Sequence, residues 1–167
     1  MRPEDAKIIA DFLLGTLGYE VSLTTSVLGA VPPGRLDYRP DPVSKTALGL
    51  LRHLALEDEW LLNAVADGRL GSPPDDSDAC GVMTPKDAVE RYQARVPAAI
   101  DRIKALSPER LASEVDFFGN KMPAVVVLST MIRHTAHHRG QLSSYLRAMG
   151  GKVPSIYGPS ADTVVPA

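Results

Sequence analysis

The four histidines of this 167-residue chain fall in two places, and three of them occupy positions from which one metal ion could be bound. His134 and His138 are four residues apart, which on a helix places two imidazoles about 40° apart around the axis and about 6 Å along it. His53 lies on the apolar stripe of an earlier predicted helix. Three imidazoles from two helices would form a three-ligand site with an open position for water or substrate. The alternative is a set of core histidines, which would need a hydrogen-bond partner for each buried ring nitrogen.

Three further residues belong to the neighbourhood of these histidines. His137 is three residues after His134 but points away from the apolar stripe, so it is predicted not to be a ligand. Glu57, one turn after His53, could be a fourth ligand, a partner of a ligand, a general base, or a solvent-facing residue paired with an arginine. Glu20 falls on the inward side of the first predicted helix, where its carboxylate could accept a hydrogen bond from a ligand histidine.

Other catalytic patterns do not occur in the sequence. Thr135 follows the first histidine of the pair, where the H-E-x-x-H pattern of zinc proteases has a glutamate. There is no glycine-rich phosphate-binding loop. Cys80 is the only cysteine, so neither an internal disulfide nor a thiolate metal cluster can form. Its acidic surroundings, residues 75–81, do not favour a reactive thiolate.

Four segments with helical periodicity must position these residues. The predicted helices cover residues 3–30, 44–67, 84–106 and 123–149. Ser44 is the expected N-cap of the second helix, and Pro97 predicts a kink or a break in the third. The predicted inward stripe of the first helix is Ile9, Leu13, Thr16, Leu23 and Val27.

The remaining segments read as connections. Residues 69–83 form a long loop rich in Gly, Pro, Asp and Ser, and residues 107–110 repeat the capping pattern for a short helical turn. No β-type alternation is predicted, and residues 152–167 form an irregular tail. These spacings favour an all-α four-helix bundle in which residues 1–167 make a single domain.

Composition narrows the functional classes. The formal net charge is −2, and hydrophobic and charged residues make up 44% and 23% of the chain, which is typical of a globular protein. The sequence has no Lys/Arg cluster of the kind that binds nucleic acid, so a nucleic-acid partner is not predicted. No apolar run approaches the roughly 20 residues needed to span a membrane, so no membrane partner is predicted either. Because acids stand where a signal peptide would be basic and then apolar, a cytoplasmic location is predicted.

The second histidine cluster resembles a known family signature. The stretch HTAHHRGQL, from His134 to Leu142, is similar to the H-x-x-x-H-R-G-Q signature of DinB-like proteins, a superfamily that includes bacterial thiol transferases. Residues 36–42, 51–60 and 151–162 resemble the family's connector, first-ligand helix and tail. The resemblance spans nearly the whole chain in the same order.

This resemblance implies an up-down-down-up four-helix bundle with long loops, and often a homodimer. Carried over onto this sequence, the metal ligands are His53, His134 and His138. An all-histidine ligand set favours zinc or nickel over magnesium or calcium.

The resemblance also implies a chemistry. Assigned members transfer or isomerise groups using a low-molecular-weight thiol such as mycothiol, bacillithiol or glutathione, so a metal-dependent thiol transferase is the first hypothesis. A metal-dependent hydrolase with Glu57 as base, and a non-catalytic metal-binding stress-response protein, remain alternatives. Arg52, Arg133 and Arg139 could bind cofactor carboxylates or form ordinary salt bridges.

Apolar residues predicted on the outer helix faces suggest a helix–helix contact between two copies of the chain. They are Phe12, Leu17, Val21, Ile132 and Leu146.

Overall fold

The computed structural model describes residues 1–163, and this part of the chain is mostly helical. The helices are α1 (Pro3–Gly29), α2 (Ala47–Asp67), α3 (Pro85–Lys104), α4 (Pro108–Ala112) and α5 (Ala124–Ala148). An antiparallel hairpin of β1 (Glu114–Phe117) and β2 (Asn120–Pro123) precedes α5. The predicted tail is irregular over residues 152–163, and its last residues, 164–167, lie outside the described part.

Local capping chemistry accounts for where the helices begin. Thr84 and Asp87 form a reciprocal capping box at the start of α3, and Ser107 caps α4. The predicted cap of α2 was wrong by two residues, because the hydroxyl of Thr46 rather than Ser44 accepts a hydrogen bond from the Gly49 amide at 3.0 Å. Helix α3 continues through Pro97 without the predicted break.

The inward face of α1 differs from the predicted one. Of the predicted stripe only Val27 is buried, and Ile9 is 38% exposed. The buried face instead follows a register that includes two polar residues, Glu20, which was correctly predicted to face inward, and Thr24. Because α1 carries apolar residues around much of its circumference, periodicity alone did not select the correct face. The polar pair is buried because it meets a partner on α5, described below.

The main core lies between the four long helices. Helices α1 and α2 each pack against both α3 and α5, and the short helix α4 packs against α1. Leu54, Leu128 and Met131 are almost fully buried close to the predicted metal ligands in sequence. Two residues predicted on the surface, Leu17 and Leu146, belong to this core, whereas Phe12 is 74% exposed as predicted.

The hairpin before α5 was not predicted. Its first strand does alternate, with Val115 and Phe117 buried between exposed neighbours, but four residues are too few for a clear period-two signal. Phe118 and Gly119 have positive φ angles of 53° and 76°, a backbone arrangement typical of the tight turns that join two strands. The hairpin ends at Pro123, directly before α5, and so fixes where the helix with two of the histidines begins.

Arg52 ties the long loop after α2 to the helical core. Its guanidinium is largely buried and donates hydrogen bonds to the carbonyls of Val82 and Asp76 at 2.9 and 3.0 Å. The same group forms an ion pair with Asp78 at 2.6 Å. Arg52 is therefore a salt-bridged structural residue, one of the two roles considered for it.

Within residues 1–163, no helix is both long enough and apolar enough to cross a membrane.

Candidate metal centre

Helices α2 and α5 bring His53, His134 and His138 together. One ring nitrogen from each histidine lies within 4.8 Å of the other two. The ring centroid of His53 is 5.1 Å from that of His134 and 4.0 Å from that of His138. All three side chains are only partly exposed. The geometry therefore assembles the three residues that spacing and family resemblance had selected.

These three imidazoles fit a transition metal. Two histidine nitrogens that bind one tetrahedral zinc at about 2.0–2.1 Å lie roughly 3.3 Å apart, so modest side-chain rotation would close the group around an ion. Both ring nitrogens of His53 are buried and make no hydrogen bond. A buried ring nitrogen without a hydrogen bond is costly, and a metal–ligand bond would satisfy Nε2, the nitrogen of His53 that no carboxylate of residues 1–163 contacts.

A buried carboxylate orients His134. Oδ1 of Asp58 lies 3.3 Å from Nδ1 of His134, and Asp58 is only 2% exposed. Its other oxygen accepts hydrogen bonds from the hydroxyls of Tyr92 at 2.7 Å and Thr135 at 2.8 Å. This contact holds the Nδ1 proton of His134 and leaves Nε2 for a metal. Thr135, which stands where zinc proteases have a glutamate, thus helps to hold Asp58, the partner of His134.

His138 has a corresponding partner one turn further along α5. Its Nδ1 lies 2.7 Å from Oε1 of Gln141, so this nitrogen is engaged and Nε2 is free for a metal. The glutamine of the H-x-x-x-H-R-G-Q pattern therefore orients the second histidine of the same pattern. His137 is exposed and lies outside the three-histidine group, although its ring is 4.8 Å from that of His138.

Glu57 lies between the histidines of the two helices. Its Oε1 is 2.7 Å from Nδ1 of His53, and its Oε2 is 3.6 Å from Nε2 of His134. The contact with His53 does not have the direction of a hydrogen bond. The carboxylate is thus beside the nitrogen of His134 that faces the site, where it could be a further ligand or a proton acceptor.

Burial and neighbouring charges shift the pKa values of Glu57, His134 and His138. Burial would raise the pKa of Glu57, but the contacts with His134 and His53 outweigh burial and lower that pKa to about 2. Burial would lower the pKa of His134, yet the carboxylates of Asp58 and Glu57 raise it to about 9. Burial lowers the pKa of His138 to about 4, against the effect of its hydrogen bond with Gln141. Without metal, His134 is therefore protonated and Glu57 is ionised at neutral pH.

Metal binding is expected to release a proton from His134. Because its pKa is about 9, this histidine is protonated below pH 9 and must lose a proton to bind metal. Metal affinity should accordingly fall by about tenfold per pH unit as the pH is lowered from 9 to 7. Titration calorimetry in two buffers of different ionisation enthalpy should give about one proton per metal at pH 7.5. A proton count near zero would contradict this account of His134.

Glu20 does not reach the histidines. It forms an ion pair with Arg139, with Oε2 2.5 Å from Nη1, and both side chains are almost fully buried. Arg139 also donates to the Thr24 hydroxyl at 3.1 Å and contacts the Tyr157 hydroxyl, which donates to Glu20. The suggested hydrogen bond from a ligand histidine to the Glu20 carboxylate was wrong, because Arg139 pairs with that carboxylate and Tyr157 donates hydrogen bonds to both of its oxygens.

Arg133, one of the three arginines considered as binding groups for a cofactor carboxylate, forms its hydrogen bonds within its own helix. Arg133 is exposed and bonds to the hydroxyls of Ser129 and Thr130 on its own helix. Together with the buried pairs of Arg52 and Arg139, this contact places all three candidate arginines in local or structural roles.

The model of the DinB family matches residues 17–164 of this chain, so the chain belongs to the DinB family. Among curated proteins, it is 40% identical over 52 residues to the protein YrdA of Bacillus subtilis, a match that covers 31% of each chain. It is 24% identical over 132 residues to YjoA of the same organism, covering 77% of this chain and 83% of YjoA. The matched part thus spans about a third of the first relative and most of the second.

Solved structures of DinB-like proteins have the same fold. A DinB-like protein from Bacillus cereus, 25% identical, superposes with a TM-score of 0.73 over 87% of this chain and 95% of its own. The YjoA structure, 20% identical, gives a TM-score of 0.68 over 87% and 96% of the two chains. A family member from Exiguobacterium sibiricum, 24% identical, gives 0.63 over 85% and 92%.

Proposed function

We propose that this chain binds one divalent transition metal, zinc or nickel, through His53, His134 and His138, and that it is a transferase that activates a low-molecular-weight thiol. The observation that carries this proposal is the convergence of three imidazole nitrogens within 4.8 Å. The hydrogen-bond partners of Nδ1 in His134 and in His138 support the proposal. They hold the Nδ1 proton of each ring, which leaves Nε2 available for a metal.

A divalent metal with an open position would supply Lewis acidity, which lowers the pKa of a thiol that reaches it. The chain supplies orientation. Asp58 fixes the ring of His134, and the hydroxyls of Tyr92 and Thr135 in turn fix Asp58. Gln141 fixes His138. Three protein ligands leave a fourth tetrahedral position for substrate, as in catalytic rather than structural zinc sites.

We assign Glu57 as the group that accepts the proton of the incoming substrate. Its pKa of about 2 means that it is ionised at neutral pH, and its Oε2 lies 3.6 Å from the site-facing nitrogen of His134. A divalent cation bound beside Glu57 would also favour the ionised carboxylate, so Glu57 would accept a proton because of its position and not because of a raised pKa.

The thiol proposal is tested with cobalt in place of the native metal. Adding a small thiol to the Co(II)-loaded protein is expected to produce a sulfur-to-cobalt charge-transfer band, because the open position accepts the thiolate. The His138→Ala variant should lose the band together with its cobalt, and His137→Ala should keep both. If no thiol at millimolar concentration changes the spectrum, the transferase proposal fails and the non-catalytic alternative takes its place.

The position of Glu57 also favours a second candidate, a metal-dependent hydrolase in which this carboxylate takes a proton from water. The two candidates differ in what occupies the open position. A Co(II) spectrum that does not change with thiols but changes between pH 5 and 9 would support the hydrolase, because a metal-bound water ionises in this range. A Co(II) spectrum that changes with neither thiol nor pH would support the third hypothesis, a metal-binding protein that is not an enzyme.

We infer that the chain is one domain whose long helices run up-down-down-up. Interhelical contacts support an antiparallel α2–α5 pair and parallel α2–α3 and α1–α5 pairs. These contacts are Tyr145–Lys45 and His134–Asp58 for the first pair, Tyr92–Asp58 and Arg102–Asp67 for the second, and Arg139–Thr24 and Gly151–Ala30 for the third. A crystal structure with any pair reversed would contradict this topology, and two separate unfolding transitions would contradict one domain.

We further propose that two copies of the chain associate through the outer face of α1. Ile8, Phe12 and Tyr19 are 69%, 74% and 60% exposed, and their spacing places them within about 40° of one another around the helix. Light scattering should give about twice the 17.9 kDa chain mass at micromolar concentration, and Phe12→Glu should reduce it to the single-chain value. A wild-type mass equal to one chain would contradict the dimer.

A further inference from the structure

A small pocket adjoins His138 on the side of α5 that faces the start of α2. Its volume is about 150 Å³. The residues that line it are Ser44, Lys45, Leu50, His138, Gln141 and Tyr145. Sites for drug-sized ligands usually measure roughly 300–1,000 Å³, so this pocket suits only a short arm of a molecule. Of the three proposed ligands only His138 forms part of the wall, so the pocket borders the metal centre on the His138 side.

Most polar groups in the wall already have partners. The Tyr145 hydroxyl donates to the backbone carbonyl of Lys45 at 3.2 Å, and the Ser44 hydroxyl donates to a carboxylate oxygen of Asp41 at 2.6 Å. Oε1 of Gln141 is held by Nδ1 of His138. These contacts fix the shape of the pocket and leave the ammonium of Lys45 as its available charge.

Lys45 differs from the paired lysines of the helices. Ion pairs with acids three or four residues away hold Lys7, Lys86 and Lys104. Over residues 1–163, no carboxylate lies within ion-pair distance of Lys45. Its stem passes along Gly49, where a Cβ would be 3.5 and 3.9 Å from the first two side-chain carbons of Lys45. Gly49 is one turn before His53, so the stem of Lys45, which precedes α2, packs on the side of the helix that carries the histidine.

We propose that this pocket is a subsite for the carboxylate arm of a small ligand, that Lys45 pairs with the carboxylate, and that the ligand's sulfur reaches the metal position. The inference rests on the proposed function and names its substrate class: small anionic thiols rather than neutral ones. A carboxylate suits the site better than a phosphate, since one ammonium balances one negative charge and a phosphate monoester carries nearly two.

The test uses a matched pair of thiols and the Co(II)-loaded protein. The charge-transfer band is titrated with 3-mercaptopropionate and with 2-mercaptoethanol, which differ in the group two carbons from the sulfur. We expect the wild type to prefer the acid, and Lys45→Met to weaken binding of the acid by about fivefold without changing binding of the alcohol, as for a solvent-accessible ion pair. Lys121→Met, an exposed lysine on β2, serves as the control and should behave as wild type.

Salt separates the proposed ion pair from direct chelation of cobalt by the carboxylate. Raising the ionic strength from about 0.1 to about 1 M shortens the screening length from roughly 10 to roughly 3 Å, so a preference due to Lys45 should shrink. Equal affinities for the two thiols, or a preference that persists in Lys45→Met, would overturn the subsite while leaving thiol activation intact. Failure of both thiols to bind would overturn the proposed function and this inference with it.

Discussion

Replacing His134 or His138 with alanine is expected to lower metal affinity by more than the roughly 10–100-fold that loss of an outer-sphere partner typically costs. Each substitution removes one of three proposed ligands and leaves two, His53 on α2 and the other histidine of the α5 pair. His53→Ala should behave in the same way, since it removes the only ligand that α2 provides. After dialysis, inductively coupled plasma mass spectrometry should find close to one metal ion per chain in the wild type.

His137→Ala is the matched control. It removes an imidazole from the same helix, next to His138 in sequence, but from an exposed position outside the three-histidine group. Its metal content and affinity should equal those of wild type. Equal losses in His137→Ala and His138→Ala would mean that a different face of α5 binds the metal. Helical circular dichroism should remain near the wild-type level in all four variants, so that a loss of metal reports ligands and not unfolding.

Replacing Arg139 with methionine is expected to lower the free energy of unfolding by about 3–5 kcal/mol, because it leaves Glu20 buried without its ion-pair partner. Arg133→Met is the control: it removes the same charge from an exposed position on the same helix, and should change stability by less than about 0.5 kcal/mol. Urea unfolding of the metal-free proteins provides the measurement.

The double variant Glu20→Gln with Arg139→Met shows whether the stability lost in Arg139→Met comes from the unpaired buried charge of Glu20 or from the lost packing of the arginine side chain. It removes both charges, so it should regain a substantial part of the stability lost in Arg139→Met alone. If Arg139→Met unfolds at the same urea concentration as Arg133→Met, the pair does not stabilise the contact between α1 and α5. If the double variant is less stable than the single one, packing of the arginine stem outweighs the ion pair.

The histidine cluster was predictable because its geometry is largely local. A spacing of four residues fixes the relative direction of His134 and His138 on one helix, whatever that helix packs against. To predict that His53 joins this pair, it was enough to assume that the apolar stripe of its own helix faces the same core. The general capping chemistry of α3 and α4 was equally local, and both helices begin where Thr84 and Ser107 indicate.

The partners of these histidines depended on tertiary contacts. Asp58 stands between two other acids in the sequence and resembles part of a solvated face, yet it is buried against Tyr92 from α3. Its position four residues after Leu54, on the buried side of α2, was the available signal. Gln141 was recognised only as a member of the family pattern. Its role as the partner of His138 became clear from the side-chain contact.

The face of α1 was mispredicted for a related reason. Glu20 and Thr24 are inward-facing because Arg139, more than 100 residues away, provides the charge and the donors that make their burial favourable. Glu20 was predicted to face inward, but a pattern that counts apolar residues gave no weight to Thr24 and shifted the predicted stripe toward Ile9 and Leu13. The two-residue error at the start of α2 was smaller and came from choosing Ser44 over another hydroxyl residue nearby.

The most direct test of a three-histidine metal centre with an open position is an X-ray absorption spectrum of the zinc-loaded protein, with and without a thiol. We expect three imidazole nitrogens and one further light atom at about 2.0–2.1 Å, and replacement of that atom by one sulfur at about 2.3 Å when thiol is added. A first shell with four protein ligands that does not change with thiol, or one with fewer than three imidazoles, would contradict the account.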